Sequence, residues 1–138
     1  ILCGSILGIE VRIACPKGYE PSSLVIAKAK EINKKSNLKI IHEPIEAVKG
    51  ANVLYTDVWT SMGEETQKET KDNEFKGFTI DRHLLSKAHK DAIVLHCLPA
   101  YRNKEITDEV IEHKKSRIFE QAENRLHAQQ ALLYCLLS

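Results

Sequence analysis

Three short stretches of this chain combine residue types that can do chemistry. His96-Cys97-Leu98-Pro99 follows the apolar, partly β-branched run Ala92 to Leu95, the pattern of a buried strand in a parallel sheet. Pro99 prevents that strand from continuing as a ladder member. A thiol and a backbone carbonyl are thereby left at the carboxyl end of a strand, where open α/β sheets bind ligands. Asp57 closes a second run, Ala51 to Thr56, and Ser61-Met62-Gly63 comes soon after it. One acid, one hydroxyl and exposed amides together suit a zwitterionic amine and carboxylate. Arg125 lies early in the terminal helical stretch, where a cation opposes the helix macrodipole and suits an anionic ligand.

Each of these residues also has an ordinary structural reading. Cys97 can be a small buried hydrophobe, Asp57 can cap its own loop, and Arg125 can be offset by Glu120 and Glu123. Adjacent residues on a strand alternate faces, so His96 and Cys97 should not point at one another. A Cys–His nucleophilic dyad is therefore disfavoured, and Cys97 is expected to act as a polar or charged ligand contact. A strand end that aims both a thiol and the next carbonyl at one ligand needs a sharp reversal. Because X-Pro bonds are cis at a cost of only ~0.5–1 kcal/mol, a cis bond before Pro99 is expected.

The elements that must position these residues alternate along the chain. An apolar helix over 1–8 stops at Gly8, and Ile9 to Cys15 reads as a strand broken by Pro16-Lys17-Gly18. Ser22 or Ser23 opens a helix with Val25, Ala29 and Ile32 at helical spacing and a lysine-rich solvated face, ending near Asn37. Strands follow at 38–42 and 51–57, separated by a short helix from Pro44 to Lys49 closed by Gly50. The charged run from Glu64 to Lys76 has almost nothing apolar and reads as an exposed helix or a mobile loop. Asp81 caps a helix through His89, the strand 92–96 follows, and Thr107 caps another helix with Ile106 and Ile111 as a hydrophobic staple. A last strand is expected at 116–119 and a long terminal helix over 120–137, apolar along Ala122, Leu126, Leu133 and Leu137.

Alternating strands and helices imply an α/β fold with a parallel sheet covered on both faces. The expected architecture is a three-layer sandwich around a five-stranded parallel sheet, with Asp57 and Cys97 at one carboxyl edge. It is Rossmann-like, but no G-x-G-x-x-G follows any strand, which argues against a nicotinamide or flavin enzyme.

Composition narrows the function classes further. The chain has 138 residues, 43% hydrophobic and 28% charged, enough for one domain of ordinary globular composition. A net charge of +1 gives no reason to expect nucleic acid or a membrane surface as partner. Four dispersed cysteines, Cys3, Cys15, Cys97 and Cys135, form no C-x-x-C, and six histidines form no H-x-x-x-H pair. A zinc site or disulfide framework is not expected, and a reducing cytoplasm is the natural setting. No apolar run approaches ~20 residues, and Ile1 to Ile9 lacks a signal-peptide pattern. The chain opens without a Met inside what reads as a helix, so a fragment of a longer protein is expected.

Taken together, Asp57-Val-Trp-Thr-Ser61-Met62-Gly63, His96-Cys97-Leu98-Pro99 and Glu123-Asn124-Arg125-Leu126-His127-Ala128-Gln129 closely resemble the ornithine carbamoyltransferase family. The resemblance extends over essentially the whole chain and is to the carboxy-terminal, ornithine-binding half. The amino-terminal half, with its Ser-Thr-Arg-Thr phosphate loop and His-Pro-x-Gln segment, has no counterpart here. The resemblance implies transfer of a carbamoyl group from carbamoyl phosphate to the δ-amine of L-ornithine, giving citrulline and phosphate without metal or cofactor. It further implies that Asp57, Ser61 and Met62 bind the ornithine head group and that Cys97 lies against the reacting amine, its thiolate helping to accept the proton. The Leu98 carbonyl would receive the carbamoyl NH₂, Arg125 would meet the carbonyl oxygen and phosphate, and His96 and Pro99 would support the motif. The complete family member would be a cytoplasmic homotrimer of arginine metabolism. A sister enzyme for putrescine or another amine, or a truncated domain without catalysis, remains as an alternative.

Overall fold

The computed structural model describes residues 1–35, 37–60, 63, 66 and 68–138, with Lys68 described by its backbone alone. It divides into two compact units, Ile1–Ala47 and Val48–Ser138.

In the first unit, helix α1 (Leu2–Leu7) ends at Gly8, whose φ of 69° is the left-handed conformation expected of a glycine cap. Gly4 serves a different need: a Cβ at this position would run into Cγ2 of Val11, so only glycine admits the close pass of α1 over the next strand. Strand β1 (Val11–Ala14) pairs in parallel with β2 (Leu38–Ile41), in register from Val11↔Leu38 to Ala14↔Ile41. Helix α2 (Ser23–Ile32) makes the crossover. Its cap is Ser22, whose hydroxyl accepts the Leu24 N–H at 3.3 Å, and it ends at Asn33 rather than near Asn37. Ala29 is its fully buried anchor, while Ile32 is more exposed than its helical spacing implied. Helix α3 (Pro44–Val48) closes this part of the chain.

In the second unit, strand β3 (Val53–Thr56) pairs in parallel with β4 (Ile93–His96), with Thr56 opposite His96. Between them lie α4 (Lys68–Glu74) and α5 (Arg82–Lys87). Much of the described part of the charged run is therefore helical, and Phe75, in the turn that follows α4, stacks on Trp59 with ring centroids 5.7 Å apart. Asp81 caps α5 as expected, accepting the Leu84 N–H at 2.7 Å. Helix α6 (Asp108–Ile111) begins after Thr107, but the threonine hydroxyl makes no cap bond and is buried without a partner among the described residues. The Asn103 side chain instead accepts the Asp108 N–H at 3.2 Å. Ile106 and Ile111 are both buried in the core, together with Leu54, Leu85, Val94 and Ile118.

The fold is α/β, but the expected five-stranded sheet is not confirmed. Among the described residues the ladders form two parallel pairs, β1–β2 and β3–β4. The strand expected at 116–119 reduces to a single bridge between Val94 and Ser116, because the terminal helix α7 already starts at Ile118 and runs to Leu137. The bridge uses Val94 N–H to Lys115 O and Arg117 N–H to Val94 O, both at 2.9 Å. Two residues further along β4 the next N–H, that of His96, is taken at 3.0 Å by the side-chain oxygen of Gln121 on α7. A glutamine side chain thus stands in for the missing strand, satisfying a donor whose burial would otherwise be costly.

Candidate functional site

The parallel register of β3 and β4 carries the site. With Thr56 opposite His96, Asp57 and Cys97 follow side by side at the carboxyl ends of the two strands, as the sequence implied. Side chains alternate along each strand, so Tyr55 and Asp57 share one face with Leu95 and Cys97, and Leu54 shares the other with Val94 and His96. Burial follows this division: Leu54, Val94 and His96 are buried, whereas Tyr55 and Asp57 are exposed and Cys97 is half-buried. The donor atoms of Asp57, His96 and Cys97 nonetheless all lie within 4.8 Å of one another, because the strand ends there.

His96 is wholly enclosed, and both ring nitrogens are engaged. Nδ1 accepts the Leu98 N–H at 2.9 Å, and Nε2 lies 3.1 Å from Oε1 of Glu105, itself 1% exposed. An amide N–H only donates, so Nδ1 must carry the lone pair and Nε2 the proton. The same Glu105 oxygen also accepts the Tyr101 N–H at 2.6 Å. This carboxyl group therefore pins both ends of the loop that carries Leu98, Pro99 and Ala100. Leu98 has a φ of 57° and the Leu98–Pro99 bond is cis; the sequence led to the second feature and was silent on the first.

Asp57 does two things at once. One oxygen accepts the Val58 N–H at 2.7 Å, the loop-cap role that strand-end aspartates commonly fill. Its carboxyl group also lies beside the sulfur of Cys97, the two within 4.8 Å of one another. Burial, and then the Asp57 carboxylate, push the Cys97 thiol above its ordinary range, while the hydroxyl of Tyr55 pulls the other way. At neutral pH the group is consequently a thiol. The thiolate proton acceptor implied by the resemblance is not the state this environment favours.

The cluster has metal-ligand residue types, but the donor chemistry does not fit a resident metal. A metal at His96 Nδ1 would have to displace the Leu98 N–H that this nitrogen accepts at 2.9 Å.

Arg125 is exposed on α7, one helical turn beyond Gln121 and on the same face of the helix. Ser61 and Met62 lie outside the described residues. Glu105, Tyr55 and Gln121 had no sequence signal of their own. The first reads as one more acid in a polar loop, and only the need of a buried histidine for two partners could have pointed to it.

Comparison with known proteins places this geometry in context. The family described as "Aspartate/ornithine carbamoyltransferase, Asp/Orn binding domain" matches residues 1–136. The chain belongs to this family. Ornithine carbamoyltransferases from Prochlorococcus marinus subsp. pastoris and Nostoc punctiforme are 72% and 52% identical to it over 138 and 134 residues, which is 99% and 96% of this chain. The same alignments cover 45% and 44% of those relatives, so the chain spans about half the length of the proteins it matches. Among solved structures, anabolic ornithine carbamoyltransferase from Campylobacter jejuni superimposes with a TM-score of 0.90 at 45% identity, covering 96% of this chain and 45% of that one. The enzyme from Pyrococcus furiosus gives 0.87 at 44% identity, covering 94% and 42%. Membership of the carbamoyltransferase family thus rests on nearly the whole of this chain. No helix among the described residues is long and apolar enough to cross a membrane.

Proposed function

We propose that this chain is the ornithine-binding half of an ornithine carbamoyltransferase, acting in arginine metabolism. In that reaction the δ-amine of L-ornithine attacks the carbonyl carbon of carbamoyl phosphate. A C–N bond forms, the C–O bond to phosphate breaks, the amine loses a proton, and citrulline and phosphate leave. The observation that carries the reading is the pairing of Asp57 with Cys97 on one face of the carboxyl edge of β3 and β4. An acid and a thiol side by side suit a ligand with an ammonium at one end and a reacting amine at the other. Relatives at up to 72% identity bearing that name support the same reading.

On this reading Asp57 holds the α-ammonium of ornithine, and Ser61 and Met62 complete head-group recognition. Cys97 lies against the δ-amine as a neutral thiol, able to accept an N–H on sulfur rather than to take the proton outright. The Leu98 carbonyl meets the carbamoyl NH₂, and its direction is held because His96 and Glu105 fix the backbone on either side. Arg125 opposes charge on the carbonyl oxygen and the departing phosphate, electrostatic help that counts most where water is excluded. Carbamoyl phosphate is the second substrate, bound jointly with the half of the enzyme that this chain does not span. A cytoplasmic homotrimer is the assembly we propose for the complete protein.

Asp57→Asn tests the head-group role while keeping shape. The comparison belongs in a two-domain protein joining this chain to the amino-terminal half of the Prochlorococcus relative. A charge-assisted hydrogen bond is worth ~1.5–3 kcal/mol, so calorimetric titration should show ornithine binding weakened roughly tenfold to a hundredfold. Binding of carbamoyl phosphate should hardly move. Equal weakening of both ligands would make Asp57 a loop cap only. An amine substrate without an α-ammonium, such as putrescine, would gain nothing from Asp57. Its binding should be insensitive to the same change.

A further inference from the structure

The long helix α7 is tied to the rest of its unit over a short length. Ile118 in its first turn is buried, Gln121 is half-buried, and every residue from Ala122 to Ser138 is exposed. Gln121 is therefore the last fixed point of the helix, and its amide makes two bonds there. The His96 N–H can only donate, so the atom 3.0 Å from it is the amide oxygen. The amide nitrogen is then the atom 3.2 Å from the Tyr55 hydroxyl, and it donates to that oxygen. One side chain thus joins α7 to β4 through a backbone group and to β3 through Tyr55, close to the strand ends from which Asp57 and Cys97 follow.

Arg125 lies on the same stripe of α7 as Ile118 and Gln121, at i, i+3, i+7 spacing. Ser116 pairs in parallel with Val94, and Gln121 meets β4 again at His96, so α7 advances toward the carboxyl edge. Four more residues add about 6 Å of rise, which carries Arg125 past the end of β4 to the level of Leu98 and Pro99. The nearby acids of the helix are engaged elsewhere: Glu120 lies 3.8 Å from Arg117, and Glu123 lies 3.5 Å from His127.

We infer that Gln121 is a positioning residue for Arg125: its two hydrogen bonds lock the first turn of α7 to the carboxyl edge of β3 and β4 and so set where the guanidinium stands against carbamoyl phosphate. Ile118 alone is a pivot. Arg125 lies about 10 Å along the axis from it, so a tilt of ~10° displaces Arg125 by about 2 Å, enough to break a hydrogen bond. The amide of Gln121 removes that freedom with one bond to each strand. This inference rests on the carbamoyl phosphate role proposed for Arg125, whereas the clamp itself is present without ligand.

Hydrogen exchange of the His96 amide in the 138-residue chain, followed by NMR, reads the clamp alone. Gln121→Met keeps the length of the side chain and removes both bonds, so this amide should exchange roughly tenfold faster. The Val94 amide, bonded to Lys115 O, should keep its protection. An unchanged His96 amide overturns the inference whatever the ligand. Calorimetric titration of the two-domain protein reads the consequence. Carbamoyl phosphate binding should weaken roughly tenfold to a hundredfold in Arg125→Ala and roughly threefold to tenfold in Gln121→Met, with ornithine binding nearly unmoved. Once Arg125 is alanine, Gln121→Met should cost less than about twofold, because the clamp then has no guanidinium to place. An unmoved affinity in Arg125→Ala would refute the role proposed for Arg125, and this inference with it. If Arg125→Ala weakens binding but Gln121→Met does not, or its loss persists undiminished in the double variant, the inference falls and that role stands. Should Gln121→Met fail to fold, Tyr55→Phe, which cuts one arm of the clamp, decides by the same cycle: no loss, or a loss additive with that of Arg125→Ala, overturns the inference equally.

Discussion

Citrulline formation by the 138-residue chain alone is expected to stay at the uncatalysed rate. Transfer requires carbamoyl phosphate to be held in line with the δ-amine, and orientation of that kind can supply ~7–11 kcal/mol of barrier lowering. The family alignments leave more than half of each complete enzyme outside this chain. On the proposed assignment this chain offers the anion Arg125, exposed on α7, and one exposed cation does not orient a phosphate. The distal part of the same helix displays Leu132, Leu133, Leu136 and Leu137 to solvent, a contiguous apolar stripe of the kind that marks a contact surface. A colorimetric citrulline assay should therefore read background for the chain, whereas adding the amino-terminal half of the Prochlorococcus relative in trans should raise it if the halves dock. Turnover at enzyme-like rates by the chain free of full-length protein would contradict a site divided between two domains.

Loss of the Glu105 side chain should be the most damaging single change to the fold of the second unit. Its carboxyl group is enclosed with His96 and accepts from two donors, Tyr101 N–H and His96 Nε2–H. Glu105→Ala removes the acceptor of the buried His96 Nε2–H and of the half-buried Tyr101 N–H and leaves the space of its own side chain empty. Each orphaned donor costs about 1–3 kcal/mol, so a total loss of roughly 2–5 kcal/mol is expected. Glu105→Gln retains an acceptor oxygen and should recover a good part of it. Urea unfolding monitored through Trp59, the single tryptophan, measures both variants. A Glu105→Ala midpoint equal to the parent's would show that the buried pair contributes little. If Glu105 also orients Leu98, ornithine binding in the two-domain protein should fall for Glu105→Ala below the temperature at which it unfolds.

Strands β3 and β4 were legible because short apolar runs ending in Asp57 and in His96-Cys97 carry both a buried-strand pattern and an abrupt change of chemistry. Gly8, Ser22 and Asp81 were legible because caps and left-handed turns are local requirements. The segment 116–119 was not. Ser116 does reach β4, but Ile118 and Phe119 are the apolar opening of α7, and periodicity over four residues cannot separate a strand from a helix start. The ladder position lost there is filled by Gln121, a substitution invisible until the tertiary structure brings α7 against β4. Thr107 had the sequence of a cap but lost the role to Asn103, which the loop brings closer. Glu105, Tyr55 and Gln121 were missed for the same reason: their roles come from partners 9, 66 and 25 residues away. Ser61 and Met62, read from the sequence as head-group contacts, lie outside the described residues.

The central claim is that the carboxyl edge of β3 and β4 receives ornithine. A crystal structure of the two-domain protein with L-norvaline, which keeps the amino-acid head group and lacks the δ-amine, addresses it most directly. The α-ammonium should lie within hydrogen-bond distance of the Asp57 carboxylate, with the end of the aliphatic chain directed at the sulfur of Cys97. Norvaline bound with its ammonium away from Asp57, or at another strand edge, would contradict the assignment.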